Sequence, residues 1–386
     1  MKRLLFVLTS AQNFAKGSSI HTSLVFKKAL ERGAPFDVYF GAGSETDHPL
    51  LANIPPEVKL HHGAHAGDLE KLLESQHYDT VFFGDGTDTN IKLPENITPI
   101  IVIHDLRFIE VPNDKIRHLY RKTNLDRIKQ FFITRLLPRI DSINQKRKMQ
   151  HFLDHPKLKI VTVSYHTKYS ILLNIPKIKD SQIDVLYSPN PPLMEQKGCP
   201  DSEAILKSMG VAPKEFFLIV SAGRWFKNSY RAIRALDDLI SKQLLGNKKV
   251  LVLGVEGSRG ITRVKNPGSF IFRDYVSGEV LQCSYQNAYG FIYPSLQEGF
   301  GTPPLEAMQY GTPVLAAANS AINEICSSGA YYFNPYSIME IENRILNLLD
   351  DKTFYEQRSK EGIKRAKEIA LKQKEDLESL MELIFE

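Results

Sequence analysis

The sequence predicts an α/β protein made of two Rossmann-like domains, each with a parallel sheet, and three observations carry that prediction. Short β-rich runs alternate with helical stretches along both halves, the pattern of strands joined by crossover helices. The chain has 386 residues, more than a single hydrophobic core usually serves. Between the halves lies SPNPPLMEQKGCPDSEA, residues 188–204, whose four prolines and one glycine disfavour regular structure and read as a linker. The predicted domains are residues 1–190 and 191–370, with 371–386 as a C-terminal helix expected to pack back on the first.

Each element has a local reason. KRLLFVLT is a buried strand, and SSIHTSLVFKKALERG is a helix closed by Gly33. FDVYFG, YDTVFFGDG and TPIIVIHDL are further strands, each stopping at glycine or polar residues, and KIVTVSYHTKYSILLN adds a strand and a helix. The second half restarts the pattern with FFLIVSAG and the helix NSYRAIRALDDLISKQLL. KVLVLGV, SFIFRDYV, GFIYPS and TPVLAAA follow as strands, and from Ser337 onward the chain is helical and charged. Open parallel sheets bind ligands beyond the carboxyl ends of their strands, so the two domains are expected to face one another across a cleft.

Composition narrows the function classes. With 42% apolar and 24% charged residues, each half has material for an ordinary globular core. Cys199, Cys283 and Cys326 are scattered and odd in number, which argues for a reducing compartment and against a disulfide framework or a structural zinc site. The N-terminal apolar run is only LLFVL with no small-residue cleavage site after it, so it reads as a first strand rather than a signal peptide. No apolar run reaches about 18 residues, so no spanning helix is expected and the cytoplasm is the predicted compartment. The net charge of +5 is mild but uneven: residues 107–159 hold fourteen Lys/Arg against five Asp/Glu, interleaved with aromatic residues such as Phe108, Tyr120 and Phe131. Solvated helix faces are the plainer reading of that run. The sharper one is an anionic partner, a membrane surface or a lipid-linked phosphate, with nucleic acid the least favoured.

The motif richest in chemistry is LQEGFGTPPLEAM, residues 296–308. It reads as strand GFIYPS, turn LQEGFGT and helix PPLEAMQYG, with Pro303 or Pro304 in the first helical turn, where a missing N–H costs nothing. The N–H groups of Phe300, Gly301 and Thr302 would then point out of a helix start, where the dipole favours an anion. Arg224 and Lys227 of SAGRWFKN fall in the loop after the first strand of the same half and could meet that anion, a diphosphate better than a single phosphate. Glu298 and Glu306, with seven residues between them, accept hydrogen bonds only when ionised, so their natural partners are hydroxyls of a sugar and a ribose. A ligand that reads hydroxyls, phosphates, hydroxyls is a nucleoside diphosphate sugar. Each element alone has a structural explanation, as a capping glutamate, a solvated basic loop or a tight turn; their conjunction at strand ends is what points to a ligand.

From SAGRWFKN through FRDYVSGEVLQCSYQNAYGFIYPSLQEGFGTPPLEAMQYGTPVLAAANSAINEI to YYFNP, the second half resembles the nucleotide-sugar domain of the retaining glycosyltransferases of GT-B family 4 (glycosyl transferases group 1). The first half is similar more loosely, through IIVIHDL, VTVSYHTKYS and DVLYSPNP. The resemblance implies a GT-B architecture and retaining transfer of a sugar from a nucleoside diphosphate sugar to a glycan or lipid-linked acceptor, as in bacterial-type surface polysaccharide or glycoconjugate synthesis. Residue by residue, it implies that Arg224 and Lys227 neutralise the diphosphate and that Glu298 lies near donor-sugar hydroxyls. Phe300, Gly301 and Thr302 would supply backbone contacts to phosphate or sugar, Glu306 would hold the ribose, and Tyr275 and Val276 would contact the nucleobase. His104, after TPIIVIHDL, matches a histidine near the transferring sugar. Many relatives carry a double glycine in the loop after the first strand, whereas SAQNFAKGSSI offers Gly17 followed by Ser18, leaving Gly17 as the candidate for phosphate contact there.

The implied chemistry is a front-face displacement in which the departing phosphate helps deprotonate the acceptor. No sequence-marked carboxylate must serve as a covalent nucleophile, and no DxD triplet is present, Asp85 and Asp88 coming nearest, so neither a metal nor another cofactor is expected. Substitution of Lys227 by Ala is expected to cut turnover far more than stability. The rival readings are an epimerase or phosphorylase on the same scaffold and a catalytically silent relative that binds nucleotide sugars. A nicotinamide dehydrogenase is disfavoured because no GxGxxG follows either first strand.

Overall fold

The computed structural model describes residues 3–8, 17–33, 35–41, 50, 54–63, 66–86, 91–137, 139, 142–144, 153–190, 199, 201–258 and 260–386. Asp88 and most of the loop before Gly17 lie outside these residues. The chain forms two compact units. Unit 1 comprises Met1–Ile109, Asp141–Pro192 and Ala370–Glu386; unit 2 comprises Glu110–Ile140 and Leu193–Ile369.

Unit 1 holds seven strands: β1 Leu4–Val7, β2 Asp37–Phe40, β3 Lys59–His62, β4 Thr80–Phe83, β5 Thr98–Ile103, β6 Lys159–Thr162 and β7 Ile183–Val185. They pair in parallel in the order β3-β2-β1-β4-β5-β6-β7. Unit 2 holds β8 Phe216–Ile219, β9 Lys249–Leu253, β10 Phe270–Arg273, β11 Gly290–Tyr293, β12 Val314–Ala317 and β13 Ala330–Phe333. These too are parallel, in the order β10-β9-β8-β11-β12-β13. The strand order therefore reverses once in each sheet, at β1/β4 and at β8/β11. In doubly wound sheets the loops at such a reversal diverge and leave a crevice for ligand.

The central strands are apolar without a break because both sheet faces are covered by helices. LLFV of β1, FFLI of β8 and GFIY of β11 are buried at every position. The joining helices begin where a short polar side chain replaces a missing backbone partner. Ser164 accepts from Thr167 N at 3.2 Å, Ser277 from Val280 N at 3.3 Å and Ser337 from Glu340 N at 3.1 Å.

The last helix, Lys352–Phe385, contributes its residues from Ala370 onward to unit 1. There, buried Asp376 accepts from the backbone N–H of Tyr187 at 2.9 Å, and Gln373 donates to the Ser188 carbonyl at 2.6 Å. Phe385 packs with Phe6 and Phe36, at ring separations of 6.4 and 6.1 Å.

Two features depart from the sequence expectation. Residues 110–140 were assigned by chain order to the first domain, yet they cluster with unit 2. Within that unit Asp114 pairs with Arg231 at 3.2 Å, the Tyr120 hydroxyl meets Ser229 Oγ at 3.3 Å and accepts from Tyr230 N at 3.0 Å, and Arg117 lies over Trp225. Burial pushes the Tyr120 phenol up to about 12, so it stays neutral there. Secondly, Cys199 and Cys283 form a disulfide, with Cα atoms 5.7 Å apart and a sequence separation of 84. This corrects the expectation against a disulfide: a spacing pattern reports only cysteines close in sequence, and here the helix Gly278–Asn287 brings the partner from afar. Cys199 is anchored beside it by its N–H, which donates to Gln286 Oε1 at 3.3 Å. Disulfides belong to oxidising compartments, so the inference of a reducing compartment loses its basis in the cysteine pattern. Titration of the denatured, unreduced chain with a thiol reagent should count a single thiol, that of the buried Cys326; three would show that Cys199 and Cys283 remain reduced.

Candidate functional site

The site in unit 2 is built from the two loops at the sheet reversal, those leaving β8 and β11. The first runs through Ser221–Asn228, with a single 3-10 turn at Trp225–Lys227. Asn228 takes a left-handed conformation, φ 56°, and its side-chain amide donates to the carbonyls of Pro294 and Pro335 at 3.0 and 2.8 Å. Leu296 N donates to Phe226 O at 2.7 Å. These bonds join the two loops, so the side chains they carry are held in register with one another.

What the loops hold is a buried ion pair. Lys227 Nζ lies 2.7 Å from Glu298 Oε1 and donates to the Tyr293 hydroxyl at 2.7 Å, with the two charged side chains only 10% and 14% exposed. Ser295 also donates to Glu298 Oε1. Ser320 Oγ accepts from Glu298 N at 3.1 Å, which fixes the backbone of this residue to the start of the helix Ser320–Cys326. Burial, and then the charge of Glu298, keep the Tyr293 phenol well above its ordinary pKa, so it remains a neutral hydroxyl beside the ammonium. Both Lys227 and Ser295 use the same oxygen of Glu298.

Three residues on, the chain enters the helix Thr302–Gln309 through Gly301, at φ 109° and ψ 49°. An L side chain at this φ is strained whatever space surrounds it, which accounts for glycine here. No side chain caps this helix start; Pro303 and Pro304 carry no N–H, so the N–H groups the turn offers are those of Gly301 and Thr302. Phe300 is buried, whereas Thr302 is part-exposed. Glu306, one turn into the helix, hydrogen-bonds with the buried Tyr285 and feels the charge of Lys227. Burial is the larger effect and pushes its carboxyl above the usual carboxylate range. Arg224 reaches the Tyr275 hydroxyl at 3.5 Å, and Tyr275 is itself 55% exposed just before the helix Gly278–Asn287.

Arg224, Lys227, Glu298, the Phe300–Gly301–Thr302 turn, Glu306 and Tyr275 therefore belong to one unit, linked by the contacts above. Val276 is adjacent in sequence to Tyr275 and part-buried. The sequence reading gave Lys227 to the phosphate and Glu298 to sugar hydroxyls as separate tasks. In the unliganded chain they hold each other. Its reading also missed Tyr293, Ser295 and Tyr285. A signal for the first two existed: they lie two apart at the end of an extended run, on the same side of the strand.

In unit 1, His104 follows β5, and its Nε2 lies 2.9 Å from the Gly84 carbonyl. A carbonyl only accepts, so Nε2 carries the proton and Nδ1 is the nitrogen left for other chemistry. The rings of His104 and His21 meet edge to face at 4.9 Å. His21 is fully buried, with Nδ1 3.0 Å from Ser188 Oγ and, among the described residues, no partner for Nε2. Burial, and then the proximity of His104, hold its pKa well below the ordinary value, so it is neutral. Sequence reasoning passed over His21, which lies in the middle of the helix Gly17–Arg32. Gly17 opens that helix and is exposed, and a Cβ there would meet nothing within 4 Å, so packing does not require glycine. Asp85 is described and Asp88 is not; among the described residues no cluster of three or more His, Cys, Asp or Glu is arranged to hold a metal.

Residues 201–365 match the family model of glycosyl transferases group 1. The chain is 27% identical over 195 residues to the O-antigen chain mannosyltransferase RfbU of Salmonella typhimurium, covering 49% of this chain and 50% of that protein. It thus matches about half the length of that relative. Among solved structures, a sucrose-phosphate synthase from Thermosynechococcus elongatus superimposes with a TM-score of 0.73 at 15% identity, covering 100% of this chain and 98% of the other. Anabaena HepE, solved with UDP and glucose, gives 0.68 at 14% identity, covering 99% and 100%. At these identities the structures establish the fold, two parallel-sheet α/β domains of GT-B type.

Two predictions come from this geometry. Removing one member of a buried pair leaves the other charge unpaired, at a typical cost of about 3–5 kcal/mol. Lys227→Ala should therefore lower stability as well as activity, and Lys227→Ala/Glu298→Ala should cost less than the two single changes added together. Urea unfolding of all four proteins measures the coupling, and additive losses would mean that the pair is not formed. The raised pKa of Glu306 has a definite sign: the folded state binds its proton more tightly than the unfolded one, so this group's contribution to stability declines as pH rises through that range. At neutral pH Glu306→Gln should raise Tm while weakening donor binding by roughly 10–100-fold, the worth of a charge-assisted hydrogen bond. A Tm lowered by the change would contradict the electrostatic account.

Proposed function

Because residues 201–365 match the family model of glycosyl transferases group 1, we propose that this chain is a retaining, metal-independent glycosyltransferase of family 4. In this reading it moves a sugar from a nucleoside diphosphate sugar to a glycan or lipid-linked acceptor during surface polysaccharide synthesis. One observation carries it: Lys227 pairs with Glu298 and its charge reaches Glu306, and the uncapped helix start at Gly301 lies in the chain between those two glutamates. That arrangement offers cation and N–H donors to a pyrophosphate and carboxylate acceptors to the hydroxyls on either side of it. The match to a protein named as an O-antigen mannosyltransferase supports the surface-polysaccharide assignment and makes mannose donors the first to test.

The chemistry follows from charge. As the bond between the anomeric carbon and the diphosphate lengthens, the sugar becomes oxocarbenium-like and negative charge grows on the leaving oxygen. Lys227, Arg224 and the Gly301–Thr302 N–H groups would stabilise that oxygen, each preorganised donor being worth roughly 3–4 kcal/mol in the transition state. Donor binding would draw Lys227 toward the phosphates and leave the Glu298 carboxylate to accept from a sugar hydroxyl. The acceptor hydroxyl enters on the face that the diphosphate leaves and gives its proton to it. His104, held through Nε2 by the Gly84 carbonyl, would present Nδ1 to the transferring sugar. Tyr275 and Val276 would take the base, and Gly17 would approach the phosphates.

The test is a thermal-shift screen of GDP-, UDP-, ADP- and dTDP-sugars, followed by transfer assays with and without EDTA. A true donor at about one hundred times its Kd stabilises the fold by about 2.7 kcal/mol. It should stand out from the others, and turnover should survive chelation and give the same anomeric configuration in donor and product. Interconversion of the donor sugar without transfer would identify an epimerase, and release by inorganic phosphate a phosphorylase. Binding without any turnover would identify a silent relative.

A further inference from the structure

The helix Asn124–Leu136 has its polarity reversed. Its start is well formed: Thr123 accepts from Asp126 N at 3.1 Å, and the Thr123 hydroxyl donates to the Asp126 carboxylate at 2.7 Å. It attaches to unit 2 through polar groups. Gln130 is its one buried residue and holds Arg121 and Thr134 Oγ1, while Asn113 donates to the Thr134 carbonyl at 3.1 Å. At 100° per residue, Gln130 and Thr134 point away from Leu125, Ile128, Phe132 and Leu136, which form one stripe at the spacing i, i+3, i+7, i+11. These four are 77%, 58%, 54% and 74% exposed. An ordinary surface helix puts its apolar face inward; this one presents it to solvent.

Charge specifies what covers the stripe. Residues 121–139 contain six Lys/Arg against one acidic residue, Asp126, whose carboxylate Thr123 already engages. Lys129 and Arg135 are exposed at the two edges of the stripe, and Lys122 and Arg139 are exposed at its ends. A second copy docked about a two-fold axis would bring these like charges together. A protein core partner would leave them without counter-charge. A bilayer with anionic headgroups accepts both parts: side chains of this size enter the acyl boundary, and the cations stay at the phosphate level.

We propose that the helix Asn124–Leu136 is a docking surface for an anionic lipid bilayer, lying in the interface plane with Leu125, Ile128, Phe132 and Leu136 inserted. The face does not depend on the donor-site reading, and its test reads lipid binding without substrate, so either can fail alone.

The experiment is co-sedimentation of the purified chain with vesicles of phosphatidylcholine alone or in equal parts with phosphatidylglycerol. The chain should pellet with the anionic vesicles and be released by salt. Phe132→Asp/Leu136→Asp should reduce binding at least tenfold with Tm unchanged, since both side chains are exposed. Lys129→Glu and Arg135→Glu should each reduce it by about fivefold or more, the worth of one cation near an anionic surface. Met339→Asp, an exposed apolar position elsewhere in unit 2, should leave binding intact. Binding indifferent to phosphatidylglycerol, or unaffected by the double substitution, overturns the proposal. So does a dimer seen by light scattering that the double substitution splits while vesicles fail to pellet the chain, for then the occupant is a second copy.

Discussion

The buried contact between Lys227 and Glu298 is the constraint around which unit 2 is organised. Taking two charges out of water is costly, and their mutual attraction offsets that cost only when further hydrogen bonds satisfy the remaining atoms. The fold provides them. Tyr293 at the end of β11 accepts from the ammonium, and Ser295 two residues later donates to the carboxylate. Asn228 and Leu296 tie together the loops that carry the pair. Sheet topology puts the pair where it is, because β8 and β11 are the adjacent strands at which the order reverses. The carboxyl ends of strands at such a reversal are where open sheets take their ligands.

That arrangement explains how carboxylates can border an anion site. Glu298 is neutralised by the cation that a diphosphate would attract, so it does not add bare negative charge to the place where phosphate would sit. Glu306 is handled differently: burial makes its charge costly, and only Tyr285 and the distant help of Lys227 oppose that cost. A carboxylate kept in such surroundings destabilises the empty protein and gains partners when a hydroxylated ligand arrives. Local destabilisation of this kind is common where a protein must bind, since the groups that stabilise a ligand are those left under-satisfied without it.

Legibility of the sequence varied from element to element for physical reasons. Strands such as LLFV and FFLI announce themselves, because a strand covered on both faces needs an unbroken apolar run. The helix start at Gly301 was readable from the glycine, the two prolines and the strand before it. The pairing of Lys227 with Glu298 was not, being a contact across 71 residues. Nor was the attachment of residues 110–140 to unit 2, which depends on single long-range partners such as Asp114 with Arg231. The basic and aromatic character of residues 107–159 was visible in composition, but composition has no direction: only the buried side of Gln130 reveals that Leu125, Phe132 and Leu136 face outward.

By itself the sequence determined what depends on neighbours along the chain: two α/β domains with parallel sheets, the strand ends that carry loops, the glycine turn that opens a helix, and the residue types gathered around the turn at 298–306. Tertiary structure alone decided which of those residues hold one another, which unit owns residues 110–140, that Cys199 meets Cys283, and that His21 meets His104 edge to face. The reason is the range of the forces involved. Periodicity, capping and φ preferences act over a few residues and are written in order, whereas ion pairs, disulfides and ring contacts join positions tens of residues apart and exist only once the sheets have brought them within a few ångströms.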